Sequence, residues 1–173
     1  MILKATSRLE LLDELGQIDC RVPEHRKDRT NDQIERWIFA HLLSTLASNN
    51  ALEYPVFVSK RERPDYILSQ NRVKTGFEIT EAVNPQLLQA QTLPEASQGS
   101  GIDLGQFKWG KKHSLARLRQ IASSPTLIGA PWMGDQADRE YVALVKDVAQ
   151  KKTVTLNKPG FDRFESNLSL IHI

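Results

Sequence analysis

Three segments with the composition of β-strands follow one another between residues 54 and 82, and their spacing constrains the fold more than any other feature. The segments are Tyr54 to Ser59, Asp65 to Ser69 and Val73 to Ala82. Only a few residues join the second segment to the third, whereas a parallel connection needs about a dozen or more. The spacing therefore predicts an antiparallel pair, with Gln70-Asn71 as the tight turn of a hairpin.

Capping signals predict helices ahead of these strands. Thr30 and Gln33 have the spacing of a capping box, and apolar residues recur after them at helical spacing as far as the Asn49-Asn50 stop. A similar signal near the N-terminus predicts a short first helix that ends at Gly16. We expect the longer helix, Thr30 to Ser48, to pack over the sheet.

Weaker patterns follow in the second half of the chain. The expected elements are a short helix over 84–90, a Gly-rich loop over 92–110, a helix capped by Ser114, a strand over 126–130, a helix opened by Asp135 and a strand over 167–173. Helices that alternate with strands in this way are typical of an α/β fold.

The composition is that of one globular domain. The chain has 173 residues, 40% of them hydrophobic, and a formal net charge of +2, so any basic surface must be local. Cys20 is the only cysteine, which excludes an intrachain disulfide framework. No apolar run is long enough to span a bilayer, and the N-terminus lacks the apolar core of a signal peptide, so we expect a cytoplasmic protein without a membrane partner. Residues 1–29 are expected to form an N-terminal helix and connector and residues 30–173 the core, and the apolar end at Ile173 favours a chain truncated at its C-terminus.

Two carboxylates lie inside the strand segments. Aspartate is depleted in strands, and a buried carboxylate without a partner is costly, so Asp65 and Glu78 each need water, a cation or a hydrogen-bond donor. Strand alternation places Glu78 on the face opposite Phe77 and Ile79. One interpretation is therefore that Glu78 lies on a solvated face, and the other is that both acids face a cation.

The helix before the strands contributes a third acid. At about 100° per residue, Glu35 falls between Leu42 and Leu46 on the apolar arc, so it is expected to point toward the core. A single inward glutamate is often a satisfied buried group. Three acids aimed at one interior would repel one another unless a hard divalent cation such as Mg²⁺ or Mn²⁺ neutralised them.

This order of acids resembles the core of the PD-(D/E)XK (restriction endonuclease-like) nuclease superfamily. Pro64-Asp65 corresponds to the Pro-Asp of its motif, Glu78 to the second acid, and Glu35 to a helix glutamate found in some branches. The resemblance covers roughly Thr30 to Val83, with a weaker continuation through Tyr141 to Ile173.

The resemblance implies an α/β fold with a mixed central sheet flanked by helices, built as a restriction endonuclease-like core. It implies a Mg²⁺ or Mn²⁺ cofactor held by Asp65, Glu78 and the main-chain carbonyl of Ile79. It also implies phosphodiester hydrolysis of nucleic acid at that ion.

The motif lysine is replaced. Thr80 stands at its position, as in an uncharacterised branch with Glu-x-Thr, and a threonine donates a hydrogen bond but carries no charge. Lys152 is a candidate to supply the charge, because it lies at about 20° from Tyr141 on the apolar stripe of its helix. The alternative is that Lys151 and Lys152 only decorate a helix C-terminus. The predicted catalytic residues are Glu35, Asp65, Glu78, Thr80 and Lys152.

A basic segment bears on the substrate. It contains five basic residues in twelve positions without an acid, beside a tryptophan that can stack on a base. The predicted nucleic-acid-binding residues are Lys108, Trp109, Lys111, Lys112, Arg117 and Arg119. The alternative is a solvated surface with no ligand.

Together these features predict metal-dependent phosphodiester hydrolysis of nucleic acid, with DNA favoured. The alternative from another class is a catalytically inactive module of the same fold that binds nucleic acid or a protein partner. A homodimer is left open.

Overall fold

A computed structural model of the chain describes residues 1–23, 28–97, 101–124 and 134–172. These residues form the strands β1 Ile2–Ala5, β2 Val56–Lys60, β3 Tyr66–Gln70, β4 Val73–Glu81 and β5 Ser166–His172. They form the helices α1 Arg8–Gln17, α2 Asn31–Ser48, α3 Pro85–Thr92, α4 Leu115–Ala122 and α5 Gln136–Leu156, with short 3₁₀ helices at Pro94–Ser97 and Leu104–Gln106. The strand predicted over 126–130 lies outside the described residues.

The five strands form one mixed sheet in the order β1-β2-β3-β4-β5. β1 to β4 pair antiparallel with their neighbours, and β5 pairs parallel with β4. The α/β prediction with a mixed sheet is therefore confirmed. β1 was not predicted, because its four residues are too short for a periodic signal, although Leu3 and Ala5 are buried.

The hairpin between β3 and β4 confirms the predicted antiparallel pair. Its turn is Asn71-Arg72, because Gln70 still pairs with Val73 in the ladder. Both turn residues have positive φ, 46° and 69°, as a two-residue type I′ turn requires. The predicted turn at Gln70-Asn71 is thus one residue too early.

The first compact unit comprises Met1–Glu81 and Lys152–His172, so it contains the whole sheet with α1 and α2. Thr30 and Gln33 form the predicted capping box at the start of α2. The Phe39 ring of α2 stacks on Tyr66 of β3 with a centroid distance of 4.2 Å and meets Phe77 of β4 edge-on. These contacts confirm that α2 packs over the sheet.

The predicted end of the first helix is slightly wrong. α1 continues through Gly16 to Gln17, and Ile18 provides the C-cap. Gly16 adopts no left-handed conformation, so it does not act as a helix stop.

The second compact unit comprises Ala82–Lys151 and has its own smaller apolar cluster. Its buried members are Ala90, Phe107, Leu118 and Ile121. Ser114 caps α4, as predicted, by accepting a hydrogen bond from the main-chain nitrogen of Arg117. Within the part of the chain that the structure describes, every helix is too short or too polar to span a bilayer.

Candidate active site

The first unit contains a cavity of about 270 Å³ beside the start of β3 and along β4. The residues that line it are Asn31, Ile34, Glu35, Asp65, Glu78, Ile79, Thr80, Glu81 and Lys152. All five predicted catalytic residues are among them. The structure therefore brings together side chains from α2, β4, α5 and the start of β3.

Strand pairing places the first two acids side by side. Tyr66 pairs with Phe77, so one further step of the same antiparallel register sets Asp65 opposite Glu78. The Asp65 Oδ2 atom accepts a hydrogen bond of 2.7 Å from the main-chain nitrogen of Ile79. The position of Asp65 is thus determined by the strand that carries Glu78.

Glu78 is buried, with a relative exposure of 9%. Its neighbours Phe77 and Ile79 are buried as well, so both faces of β4 are covered at this point. The interpretation that placed it on a solvated face is therefore wrong. Its Oε1 atom accepts a hydrogen bond of 2.8 Å from Lys152 Nζ. Its Oε2 atom is buried and accepts no hydrogen bond from the described residues. One oxygen of this carboxylate is therefore left without a donor, which is uncommon for a buried charged group.

The pKa of Asp65 is shifted, mainly because the carboxyl group is buried. Burial, with a further contribution from the charges of Glu78 and Glu35, raises the pKa of Asp65 to about 6. The hydrogen bond from the Ile79 nitrogen and the charge of Lys152 act in the opposite direction. A carboxyl group with a strongly raised pKa in a cavity is a frequent mark of a functional site.

Lys152 reaches the site from α5. Besides its contact with Glu78, its Nζ atom lies 3.5 Å from the main-chain oxygen of Ile79. Thr80 lines the same cavity from β4, two residues after Glu78 and on the same face of the strand. A lysine from a distant helix thus stands beside the motif in which threonine occupies the lysine position.

Glu35 was predicted to point toward the core. Its side chain instead lines the cavity. Its side chain is 21% exposed, and its Oε2 atom accepts a hydrogen bond of 3.0 Å from Lys60 Nζ. Lys60 also forms an ion pair with Asp32. Burial lowers the pKa of Lys60, but the hydrogen bonds from Lys60 to Asp32 and Glu35 outweigh this effect, so its pKa is raised.

Sequence reasoning missed Lys60, although a signal was present. Val56 and Val58 are buried in β2, and strand alternation places Lys60 on the same face as both. A lysine on a buried strand face needs a carboxylate partner. The helix that carries Glu35 supplies it.

The donor set is suited to a small, hard divalent cation. Mg²⁺ is usually held by one or two carboxylates, and its remaining positions are filled by water and substrate phosphate. Asp65, Glu78 and the carbonyl of Ile79 match that pattern, and the Oε2 atom of Glu78, which has no hydrogen-bond partner in the described part of the chain, offers an acceptor. Within the described ranges, no group of three or more His, Cys, Asp or Glu side chains has an arrangement that would hold a metal ion by itself. All of these donors are oxygen atoms, the type that Mg²⁺ and Mn²⁺ prefer, whereas structural zinc sites use cysteine and histidine.

The predicted basic cluster is divided by the fold of the second unit. Trp109, Lys111 and Lys112 line a cavity of about 230 Å³. Arg119 lies 3.6 Å from Glu95, and Arg117 donates hydrogen bonds to Gln106 and Gln120. Lys108, Arg117 and Arg119 are not part of the cavity lining. The six residues therefore do not form one continuous binding surface around this cavity.

Comparison of the chain with protein-family models, with curated proteins and with solved structures gave no significant match.

Proposed function

We propose that this chain hydrolyses phosphodiester bonds of nucleic acid, with DNA as the favoured substrate, through a restriction endonuclease-like core that uses Mg²⁺ or Mn²⁺. One observation carries the proposal: Asp65, Glu78 and Lys152 converge in a single cavity, and a buried oxygen of Glu78 receives no hydrogen bond from the residues that the structure describes. Paired carboxylates can hold a divalent cation, and this cation together with the Lys152 ammonium group would offset the negative charge that develops when water attacks phosphate.

Asp65, Glu78 and the Ile79 carbonyl would hold the cation. A divalent ion at such a position polarises phosphate oxygens and lowers the pKa of bound water. The Ile79 nitrogen fixes Asp65 by its hydrogen bond, so the carboxylate is already oriented.

Lys152 would supply the positive charge that Thr80 lacks. Its ammonium group lies at hydrogen-bond distance from Glu78, so it neutralises that carboxylate and can offset negative charge on a phosphate in the same cavity. The Thr80 hydroxyl can donate a hydrogen bond to water or phosphate. Glu35, held by Lys60, would accept a hydrogen bond from water at the edge of the cavity.

The direct test is cleavage of single- and double-stranded DNA and RNA in the presence of Mg²⁺ or Mn²⁺. We expect Asp65→Asn, Glu78→Gln and Lys152→Met each to reduce the rate by about two orders of magnitude or more, because each change removes charge stabilisation at the reacting phosphate. Lys146→Met is the matched control, since Lys146 lies exposed on the same helix. Thr80→Lys is the complementary variant and should maintain or raise the rate. Cleavage that survives Asp65→Asn unchanged would contradict the proposal.

Metal binding can be measured without substrate. Mg²⁺ or Mn²⁺ should raise the melting temperature of the wild type, because a ligand that binds only the folded state stabilises it. Asp65→Ala and Glu78→Ala should remove that increment. An equal increment in all three proteins would argue against a cation at these residues.

A second candidate is a catalytically inactive module that binds nucleic acid or a protein partner. It is favoured by Thr80 at the lysine position and by the absence, among the described residues, of a three-ligand metal group. Binding of oligonucleotides by the wild type without cleavage under any metal condition would identify this function.

A further inference from the structure

The second unit contains a cavity that the proposed hydrolysis does not use. It has a volume of about 230 Å³, below the range of about 300–1,000 Å³ that is usual for drug-sized ligands. Its lining residues are Asn84, Pro85, Gln86, Trp109, Gly110, Lys111, Lys112, Asp147 and Lys151. An aromatic ring and three lysines in one small cavity suit a ligand that combines a flat ring with negative charge.

A tight turn places the ring and the lysines around the same space. The main-chain nitrogen of Lys111 donates to the carbonyl of Lys108 at 3.2 Å, and Gly110 between them has φ +78°. A positive φ at the third position is typical of a type II turn and favours glycine. The turn brings Trp109 and Lys111 to the same cavity.

The surrounding residues are braced by hydrogen bonds. The main-chain nitrogen of Trp109 donates to Glu140 of α5. The Gln86 side chain bonds both the main-chain nitrogen and the main-chain oxygen of His113, at 2.8 and 2.9 Å. Asn84 caps α3, the helix that carries Gln86, by accepting a hydrogen bond from the main-chain nitrogen of Gln86. A braced cavity loses little conformational entropy when a ligand binds.

The charge of the cavity is positive. Asp147 is the one acidic residue among the described residues of the lining, and it is already paired with Lys151 at 2.7 Å. Lys151 Nζ also lies 5.9 Å from the centroid of the Trp109 ring, in cation–π range. Lys111 and Lys112 are exposed and form no ion pair with any residue that the structure describes. Their ammonium groups are therefore available for phosphate.

We infer that this cavity binds one unpaired nucleotide of single-stranded nucleic acid, with the base stacked on Trp109 and the flanking phosphates held by Lys111 and Lys112. Aromatic stacking combined with lysine contacts to the backbone is how proteins bind single strands without sequence preference. A duplex offers its phosphates but keeps its bases stacked internally, so Trp109 would add nothing to duplex binding. The inference deepens the proposed function, on which it rests for the choice of nucleic acid as ligand.

The test measures binding in the absence of cleavage. The full chain carrying Asp65→Asn is titrated in EDTA against a fluorescently labelled thymidine oligonucleotide, the same strand with abasic sites, and a duplex of equal length. We expect Trp109→Ala to weaken binding of the thymidine strand about tenfold and to leave the abasic strand unchanged. Trp109→Phe should retain most of the affinity.

Lysine variants separate the cavity from a generally basic surface. Log affinity for a single strand falls linearly with log salt concentration. We expect Lys111→Ala and Lys112→Ala each to make this slope shallower by about 0.7. Arg119→Ala is the matched control, because its guanidinium lies near Glu95, and it should change the slope less.

Stacking can also be observed without any change at Trp109. A single strand containing 2-aminopurine should lose fluorescence when it binds the Asp65→Asn protein, and this readout does not depend on whether Trp109→Ala folds. Three results would overturn the inference. They are tighter binding of the duplex than of the single strand, a loss of affinity on Trp109→Ala that is equal for the thymidine and abasic strands, and 2-aminopurine fluorescence that does not fall on binding. Failure of wild-type cleavage in Mg²⁺ would count against the hydrolase alone, since the binding measurement uses no metal.

Discussion

Asp65 and Glu78 can lie next to each other because each carboxylate accepts a hydrogen bond from a different donor. Asp65 accepts a hydrogen bond from the main chain of β4, and Glu78 accepts one from Lys152. This division lets two carboxylates share a cavity without a common partner. The cost remains visible in the raised pKa of Asp65.

That raised pKa predicts how stability depends on pH. The folded protein holds the Asp65 proton up to about pH 6, whereas the unfolded chain releases it near the ordinary value of 3.8. Between these values the folded state binds more protons than the unfolded state. The contribution of this group to the free energy of unfolding therefore falls as pH rises from about 4 to 6 and is constant above that range.

Asp65→Asn removes the titration, so the variant should lose this component of the pH dependence. Urea midpoints measured in EDTA from pH 4 to pH 7 check the expectation. Parallel curves for wild type and variant would show that Asp65 does not titrate in this range.

Lys152 provides a second prediction at the scale of single residues. The side chains of Lys152 and Glu78 are only 20% and 11% exposed, so Lys152→Met leaves a buried carboxylate without its cation. We expect the free energy of unfolding to fall by about 2 kcal/mol. Urea unfolding measures the loss.

Two controls accompany this variant. Lys146→Met removes an exposed lysine from the same helix and should change stability by less than about 0.5 kcal/mol. Glu78→Gln combined with Lys152→Met should be more stable than Lys152→Met alone, because the uncompensated charge is gone. A loss shared equally by Lys146→Met and Lys152→Met would contradict the buried ion pair.

Among the elements, β4 organises the site, since it pairs with β3 on one side and β5 on the other. Gly76 pairs with Ile67 of β3 and with Asn167 of β5. A Cβ atom at this position would lie 2.5 Å from Asn167 Oδ1 of β5 and 2.8 Å from Cγ of the Pro64 ring. Pro64 directly precedes Asp65, so the space beside Gly76 also affects the position of a predicted metal ligand.

We expect Gly76→Ala to lower the free energy of unfolding by about 1–3 kcal/mol, because the buried Pro64 ring cannot move aside freely. Gly16→Ala is the matched glycine control. Gly16 is inside α1 with no atom within 4 Å of a Cβ, so alanine should stabilise by about 0.5–1 kcal/mol. Denaturant unfolding of both variants tests the pair, and a stabilised Gly76→Ala would contradict the close approach.

At the scale of the whole molecule, the two compact units differ in their cores. The first buries large side chains from α1, α2 and four strands, including Phe39, Leu43 and Tyr66. The cluster of the second unit has four buried members among the described residues. A unit that buries less apolar surface requires less free energy to open locally.

Hydrogen exchange should therefore proceed faster in the second unit. We expect the backbone amides of α4 to exchange at least about tenfold faster than those of α2 under native conditions, as measured by mass spectrometry of peptides. Equal protection of the two helices would show that the smaller cluster does not limit the stability of its unit.

Local signals in the sequence were sufficient for most elements. The capping boxes, the apolar periodicity of α2 and the short spacing of β3 and β4 depend on residues within a few positions of each other, so they can be recognised without a structure. The turn at Asn71-Arg72 was predicted one residue too early, because the end of a strand depends on which residues form its last hydrogen-bonded pair. β1 was missed because four residues carry too little pattern.

The sequence by itself thus determined the antiparallel pairing of β3 with β4 and the presence of Asp65 and Glu78 in these neighbouring segments. Only the tertiary structure decided which charges compensate them: Lys152 meets Glu78 across 74 residues, and Lys60 meets Glu35 across 25. It also decided that Glu78 is buried and that the predicted basic cluster is divided between a cavity and other contacts. Periodicity gives the direction of a side chain from its own element, whereas its partner depends on how distant segments pack, and that information is not present in any local pattern.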